Sequence, residues 1–350
     1  MKKYLLPNDL NCYKANLHCH TVFSDGKYTP KEVKKAYMEQ GYSIIAYTDH
    51  DVFVPHNELS DENFLALNGF EGAFDEPKTP EKPTWRENKN CHVGYIALDP
   101  AIDENPIWYR SRFDAKLTGE YKKYALPEDK KGFQRIHTIE CISEANRLAH
   151  EKGFFCIMNH PCWSLEEYPD YMGITNFDAF EMTNYGSLGY AGLSGVHHAY
   201  LEPNQRIMDD ILRSGRNIYC VNADDNHGDE CRFGGFIYLF SKDLKYASVA
   251  NALKNGVFYA SEGPKINSMW IEDGVVFVEC DSVRSINFTT GARHAKLVKN
   301  EDKSPVCSAE FKLRDTDAYV RVTITDFNGK SAYTNAFFVE DILEKQEVSV

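Results

Sequence analysis

Long apolar runs are missing from this 350-residue chain. No stretch approaches the roughly 20 consecutive apolar residues that cross a bilayer. The opening MKKYLLPNDL is broken by Pro7 before it reaches the length of a signal-peptide core, so a cytoplasmic chain with no membrane partner is expected. Positive charge is also short: 39 Lys and Arg stand against 52 Asp and Glu, a net charge of −13. Wrapping a nucleic-acid duplex needs a basic face, so a duplex is not the expected partner. A small anionic substrate stays compatible, because bound divalent cations reverse the field locally. The ten cysteines are scattered with no CxxC pair, and several sit inside apolar runs, such as Cys156 in FFCIM and Cys220 in NIYCV. That pattern fits buried free thiols in a reducing compartment rather than a disulfide framework or a thiolate zinc site. The G-x-S-x-G nucleophile signature is absent as well, which removes the usual serine-hydrolase reading.

What is present is an alternation. From about residue 14 to 228, strand-like runs (YKANLHCH, YSIIAYTDH, FLALNGFEG, CHVGYIAL, FFCIMNHP, FDAFEMTN, NIYCVNADD) are interleaved with amphipathic stretches. TPKEVKKAYMEQG offers Thr29 as N-cap, Pro30 at the first helical position and Gly41 as a stop. IECISEANRLAHEKG and NQRIMDDILRSG repeat apolar residues at helical spacing and stop at Gly153 and Gly215. Such alternation predicts an α/β fold with parallel strands, a barrel or a doubly wound sheet. Segments of about 72–90 and 99–136, rich in charge, Pro and aromatics, read as inserts at one end of that body. Beyond 264 the texture becomes all-β, with a DFNGKS hairpin turn late in the tail. The expected division is therefore a body of 1–264 and a C-terminal β domain, sandwich-like, of 265–350.

Polar residues crowd into NLHCHTVFSDG, where His18, Cys19, His20 and Asp25 stand close together. On a strand, His18 and His20 would share one face about 7 Å apart with Cys19 opposite, and taken alone this is as readily a satisfied polar edge as a site. The other runs tip the balance. The second ends in TDHD with His50, the third reaches Glu71, the fifth ends in NHP with His160, and the seventh ends in ADDNH with Asp225 and His227. C-terminal ends of parallel barrel strands converge on one mouth. Unpaired imidazoles and carboxylates gathered there would cost several kcal/mol each, a cost that divalent cations remove. His92 departs from the pattern by standing at the beginning of its run.

In this order and at these spacings, NLHCHTVFSDG, TDHD, FEG, CHVGY, NHP and DNH resemble the polymerase-and-histidinol-phosphatase (PHP) family of metallohydrolases over about residues 14–264. The resemblance implies a distorted (β/α)7 TIM-like barrel of PHP type holding two or three divalent metal ions (Zn, Mn or Fe). It implies His18, His20, Glu71 and Asp225 as ligands of a first ion. Glu71 would bridge to a second ion held by His92 and His160, and Asp25, His50 and His227 would hold a third. The tail resembles that of stand-alone members of the family. The expected activity is hydrolysis of a small phosphate ester or nucleotide by a metal-activated hydroxide. The alternatives are a carboxylic or carbamate ester hydrolase on the same centre, and a non-catalytic metal-binding interaction module.

Residues beyond the ligands are candidates on chemistry alone. Asp49 and Asp51 flank His50 and are placed to orient ligands or to act as ordinary turn acids. Arg110 and Arg112, beside Trp108 and Tyr109, are candidates for gripping a phosphate and stacking a base, or for plain surface positions. His197 and His198 in GVHHAY are candidate general acids. Arg232 is near enough to His227 in sequence to reach a phosphate at the mouth.

Overall fold

The computed structural model describes residues 2–189 and 204–343. Among the described residues no helix is long and apolar enough to cross a membrane. The body contributes β1 (Lys3–Tyr4), β2 (Asn11–Asn16), β3 (Ile44–Tyr47), β4 (Leu65–Asp75), β5 (Asn90–Ala97), β6 (Phe154–Asn159), β7 (Ala179–Asn184), β8 (Tyr219–Ala223), β9 (Phe236–Ser241) and β10 (Phe258–Ser261). The tail adds β11 (Ile266–Glu272), β12 (Val275–Val283), β13 (Ser285–Thr290), β14 (Lys296–Val298), β15 (Val306–Lys312), β16 (Tyr319–Thr325), β17 (Ser331–Thr334) and β18 (Phe337–Phe338). The three expected helices form as α1 (Pro30–Met38), α2 (Ile139–Glu151) and, after the short α3 (Tyr168–Gly173) and α4 (Tyr185–Gly189), α5 (Gln205–Arg213). They are followed by α6 (Tyr246–Lys254) and α7 (Val339–Ile342). The start of α1 is set by a capping box, with Thr29 and Glu32 exchanging side-chain to backbone bonds and Pro30 in the first turn.

The strands of the body line up as β9-β2-β3-β4-β5-β6-β7-β8. Pairing is parallel within β2-β3-β4 and within β6-β7-β8, but β5 runs antiparallel to both β4 and β6. The expected all-parallel arrangement fails there because the link between β4 and β5 contains no crossover helix, and a parallel pair requires one. The expected barrel is not closed by a ladder either. β9 occupies the free edge of β2, from Asn11↔Ser241 to Ala15↔Ile237, so no edge is left for β8. The C-terminal ends of β8 and β2 are linked by the Cys19↔Asn226 bridge and by the Asp224 amide donating to Asn16 Oδ1 at 3.0 Å, not by a ladder.

The tail forms a second sheet, β1-β11-β12-β15, facing β14-β13-β16-β17 across a core that includes Met269, Val276, Val278, Ile286, Phe288, Phe311 and Val322. Phe240 and Tyr259 of the body belong to the same core. β17 pairs with β10, so one sheet runs from tail to body across residue 264. Arg321, 2% exposed as a side chain, clamps Asp209 of α5 at 2.8 Å.

Candidate metal centre

The ligand-type side chains gather at one end of the body. His18 and His20 lie past the end of β2, where Asn16 Nδ2 donates to the His18 carbonyl at 2.9 Å and holds the departing chain. Their Nε2 atoms are 3.0 Å apart, closer than an extended strand would place them. Cys19 between them turns away, fully buried beside Val33 and Tyr37, with burial raising its thiol pKa. Gly26 is required in this loop, since a Cβ there would stand 2.4 Å from the His20 backbone. His92 belongs to the group for a reason that the sequence pattern did not reveal. Because β5 is antiparallel, its beginning lies opposite Asn159, at the end of β6.

Glu71, fully buried on β4, is the hub. Its Oε1 stands 3.2 Å from His18 Nε2, 3.1 Å from His92 Nδ1 and 3.3 Å from His160 Nε2. Its Oε2 stands 2.9 Å from His50 Nδ1 and 3.4 Å from His20 Nε2. Asp225 Oδ1 faces His20 Nε2 at 3.0 Å, His18 Nε2 at 3.2 Å and His227 Nδ1 at 3.4 Å. Asp25 Oδ1 faces His227 Nε2 at 3.3 Å and His50 Nε2 at 3.7 Å. All nine expected ligands are thus brought together, in overlapping groups centred on His20/Asp25/His50/His227, His18/His20/Asp225, His18/Glu71/His160 and His50/Glu71/His92.

The donor set fits metal ions on two observations. Glu71 Oε2 and Asp225 Oδ1 are buried and have no hydrogen-bond partner of acceptable geometry, although imidazole nitrogens surround both. In addition, donor separations of 2.9–3.4 Å approach the roughly 3.3 Å edge of a tetrahedron with bonds of about 2.0–2.1 Å. Without a cation the cluster is held by protons in conflict. Burial, reinforced by His227 and His50, lowers His20 to about 3. Burial also opposes charge on His50, yet Glu71 and Asp25 lift it to about 9. His160 (φ 25°) and Asp225 (φ 51°) hold left-handed backbone conformations, a cost of about 1–3 kcal/mol each that surrounding contacts must offset.

Several supporting residues were not singled out from sequence. Glu181, buried on β7, accepts from His18 Nδ1 at 2.7 Å, from the His160 amide at 2.6 Å and from Asn184 Nδ2 at 2.7 Å. A carboxylate on the far nitrogen fixes the tautomer and orientation of a ligating imidazole. The signal available in sequence was an acid inside an otherwise apolar strand run, in AFEMTN. Replacing Glu181 by Gln is expected to weaken metal affinity about 10–100-fold with little loss of fold; titration of the metal-free variant with Mn or Zn measures it.

The other candidates separate by position. Asp49 lies behind the ligands, accepting from the amides of Thr21 and Ser24 at 2.7 and 3.0 Å and from both hydroxyls at 2.7 Å. It positions the loop from His20 to Asp25 rather than touching a ligand's donor atom. Asp51 pairs with the buried Arg135. Arg110 and Arg112 line a cavity of about 740 Å³ over the centre. Arg232, expected at the mouth, is instead turned to Asp229 with its guanidinium over Tyr28 at 4.8 Å, because the turn Asp229–Cys231 carries it away from His227. His197 and His198 lie outside the described residues.

Fold and site together define a mixed α/β protein with a candidate centre of several imidazole and carboxylate donors. No protein-family model and no curated protein matches the chain. Among solved structures it is similar to a two-domain protein from Bacteroides vulgatus that contains a predicted PHP-like metal-dependent phosphoesterase, at 16% identity and a TM-score of 0.42, with 96% of this chain and 98% of that one covered. A proposed metal-dependent phosphoesterase from Bifidobacterium adolescentis is matched at 16% identity and a TM-score of 0.37, covering 62% and 88%. A lesion-specific endonuclease from Pyrococcus furiosus is matched at 13% identity and a TM-score of 0.39, covering 70% and 56%. Likenesses of this size carry no argument about chemistry, which rests on the centre itself.

Proposed function

We propose that this chain is a metal-dependent hydrolase of PHP type acting on a small phosphate ester. The observation that carries the reading is Glu71, a fully buried carboxylate faced by five imidazoles. His18, His20, Glu71 and Asp225 would hold one ion. His92 and His160 would hold a second with Glu71 shared between the two, and Asp25, His50 and His227 a third. Mixed imidazole and carboxylate donors suit Zn, Mn or Fe. When bound, such ions lower the pKa of a coordinated water towards ~7 and draw charge from phosphoryl oxygens.

The chain's own residues prepare the rest. Glu181 and Asn184 hold His18 and the His160 backbone in place, and Asp49 anchors the loop carrying Asp25. Phe113 stacks on His50 at 5.7 Å and keeps water from that flank. Arg110 is tied to the Pro127 carbonyl at 2.7 Å, whereas Arg112 reaches the cavity wall with no ion pair or hydrogen-bond partner among the described residues. An arginine there favours an anionic substrate over a neutral ester. The β tail of 265–350 supplies no ligand in this reading; its His294 is bound to Asp317 at 2.9 Å.

The test is a side-by-side assay of p-nitrophenyl phosphate, bis-p-nitrophenyl phosphate and p-nitrophenyl acetate on protein loaded with Zn, Mn or Fe. At least one phosphate ester is expected to turn over well ahead of the acetate. Faster acetate cleavage would move the assignment to a carboxylic ester. No turnover with metal bound would leave a non-catalytic metal module.

A further inference from the structure

The cavity over the metal centre has a side that metal chemistry does not explain. Trp163, just after His160, packs edge-on against the His160 ring at 4.9 Å and against His92 at 5.2 Å. Trp85, from the 76–89 link, stacks on Trp163 at 5.9 Å with the planes 24° apart. Trp85 is 43% exposed and Tyr109 37%, and all three rings line the 740 Å³ space. Each of these two exposed rings is held from behind, Trp85 by Trp163 and by Arg86 at 5.3 Å and Tyr109 by Arg135 at 5.0 Å. The exposed part of its surface stays turned to the cavity, where a flat ligand would cover it. The polar counterpart is also present. Arg112 lines the same cavity, its guanidinium resting 4.7 Å above the Phe113 ring. The volume lies within the roughly 300–1,000 Å³ of small-molecule sites.

We propose that Trp163 and Trp85, with Tyr109, form a subsite for a planar aromatic group of the substrate, while Arg112 contacts its phosphate. The substrate class is then an aromatic phosphate ester, the aromatic part being an aryl ring or a nucleobase. The proposal rests on the hydrolase reading for the phosphate but not for the rings. The two carrying tryptophans come from different segments, the 76–89 link and the turn after β6, and meet only in the folded chain. Stacking on an aromatic side chain is tolerant of ring identity, so shape and flatness decide affinity here.

Phosphonates test this without turnover, because their carbon–phosphorus bond is not an ester. Phenylphosphonate, butylphosphonate and the phosphonate analogue of AMP are titrated into Mn-loaded full-length protein, followed by calorimetry and by tryptophan fluorescence. Metal uptake is measured first, and the titrations are repeated on metal-free protein. The two aromatic ligands are expected to bind about 5- to 100-fold tighter than butylphosphonate and to quench fluorescence. Trp85→Leu, at an exposed position, should shrink that preference and leave butylphosphonate affinity unchanged. Trp163→Leu should shrink it as well, read as the ratio of aromatic to butyl affinity at equal metal content because this ring packs on His160 and His92. Arg112→Met should weaken all three ligands together. Tighter binding of the AMP analogue than of phenylphosphonate assigns the nucleobase; equal binding assigns a plain aryl ring. Equal affinity for all three ligands, or a preference that survives in the Trp85→Leu/Trp163→Leu double variant, overturns the subsite. Failure to take up Mn overturns the hydrolase reading instead, and an aromatic preference on metal-free protein would still uphold the subsite.

Discussion

Glu71→Gln is expected to strip the centre of metal and to abolish hydrolysis while the chain still folds. Gln keeps the volume but gives up the charge, and one of its two lone-pair faces becomes an amide donor pointed at imidazoles. Five histidines face this carboxylate, so its loss is felt by every ion in the centre. Metal affinity should fall by well over the roughly 10–100-fold that loss of a mere supporting partner costs. A second readout does not depend on activity. An ion present at about 1,000 times its Kd stabilises the native state by ~4 kcal/mol, so chelation should lower the melting temperature of the unsubstituted chain by on the order of 5–10 °C. The melting temperature of Glu71→Gln should not respond to metal at all. The pH dependence has a definite sign. Imidazoles must be neutral to ligate, and although burial opposes charge on His50, Glu71 and Asp25 lift it to about 9, so loading should weaken progressively as pH falls below about 9. Glu71 does not set that loss. Burial alone would raise its carboxyl, but His92, His18 and His50 hold it well below the usual carboxylate range, so it stays ionised across the window. Retention of metal by the variant, seen as full metal content after gel filtration, would contradict the shared-carboxylate arrangement.

Ending the chain at residue 264 is expected to destroy the folded body, even though no ligand lies beyond that point. Removal of β17 opens the edge of β10 from Tyr259↔Thr334 to Ser261↔Ala332. Asn335 would no longer accept from the Cys220 amide at 2.9 Å or donate to the Gly256 and Phe258 carbonyls at 3.0 Å. Tyr259 and Phe240 would lose the tail side of their core. At about 1.5–3 kcal/mol for each of these two large buried side chains, with a bare strand edge besides, the losses reach the lower end of the ~5–15 kcal/mol of a typical domain. The measurement is solubility and thermal unfolding of the shortened chain. A soluble, cooperatively unfolding product with metal bound would show that the tail is a separate unit. Arg321→Met, which leaves Asp209 without its guanidinium, is the milder companion, expected to destabilise by about 3 kcal/mol.

Much of the site was legible because ligation is written in residue type and spacing. The positions at run ends (His18, His20, His50, Glu71, His160, Asp225, His227) are brought together as the strand reading required. The capping of α1 by Thr29 and the glycine stops of α2 and α5 are local events, decided by residues within a turn of one another, and they form where the pattern put them. Arg232 shows the limit of nearness in sequence. It follows His227 closely, yet one short turn and the Asp229 carboxylate carry it off the mouth.

The sequence by itself marked the seven candidate donors at run ends, the helices α1, α2 and α5 and the change to all-β texture after 264, since each depends on side-chain chemistry or on a period of a few residues. Strand direction and edge occupancy were left to the tertiary structure. An antiparallel β5 has the same alternation as a parallel one, so only its pairing with β4 and β6 could place the first residues of that strand, and with them His92, at the metal end. Nor does any local signal say which strand takes the free edge of β2. β9 takes it, β8 is left without a partner there, and the sheet stays open, running on through β10 into the tail. Long-range pairing is settled by competition among edges across the whole chain, and that competition has no signature within any single segment.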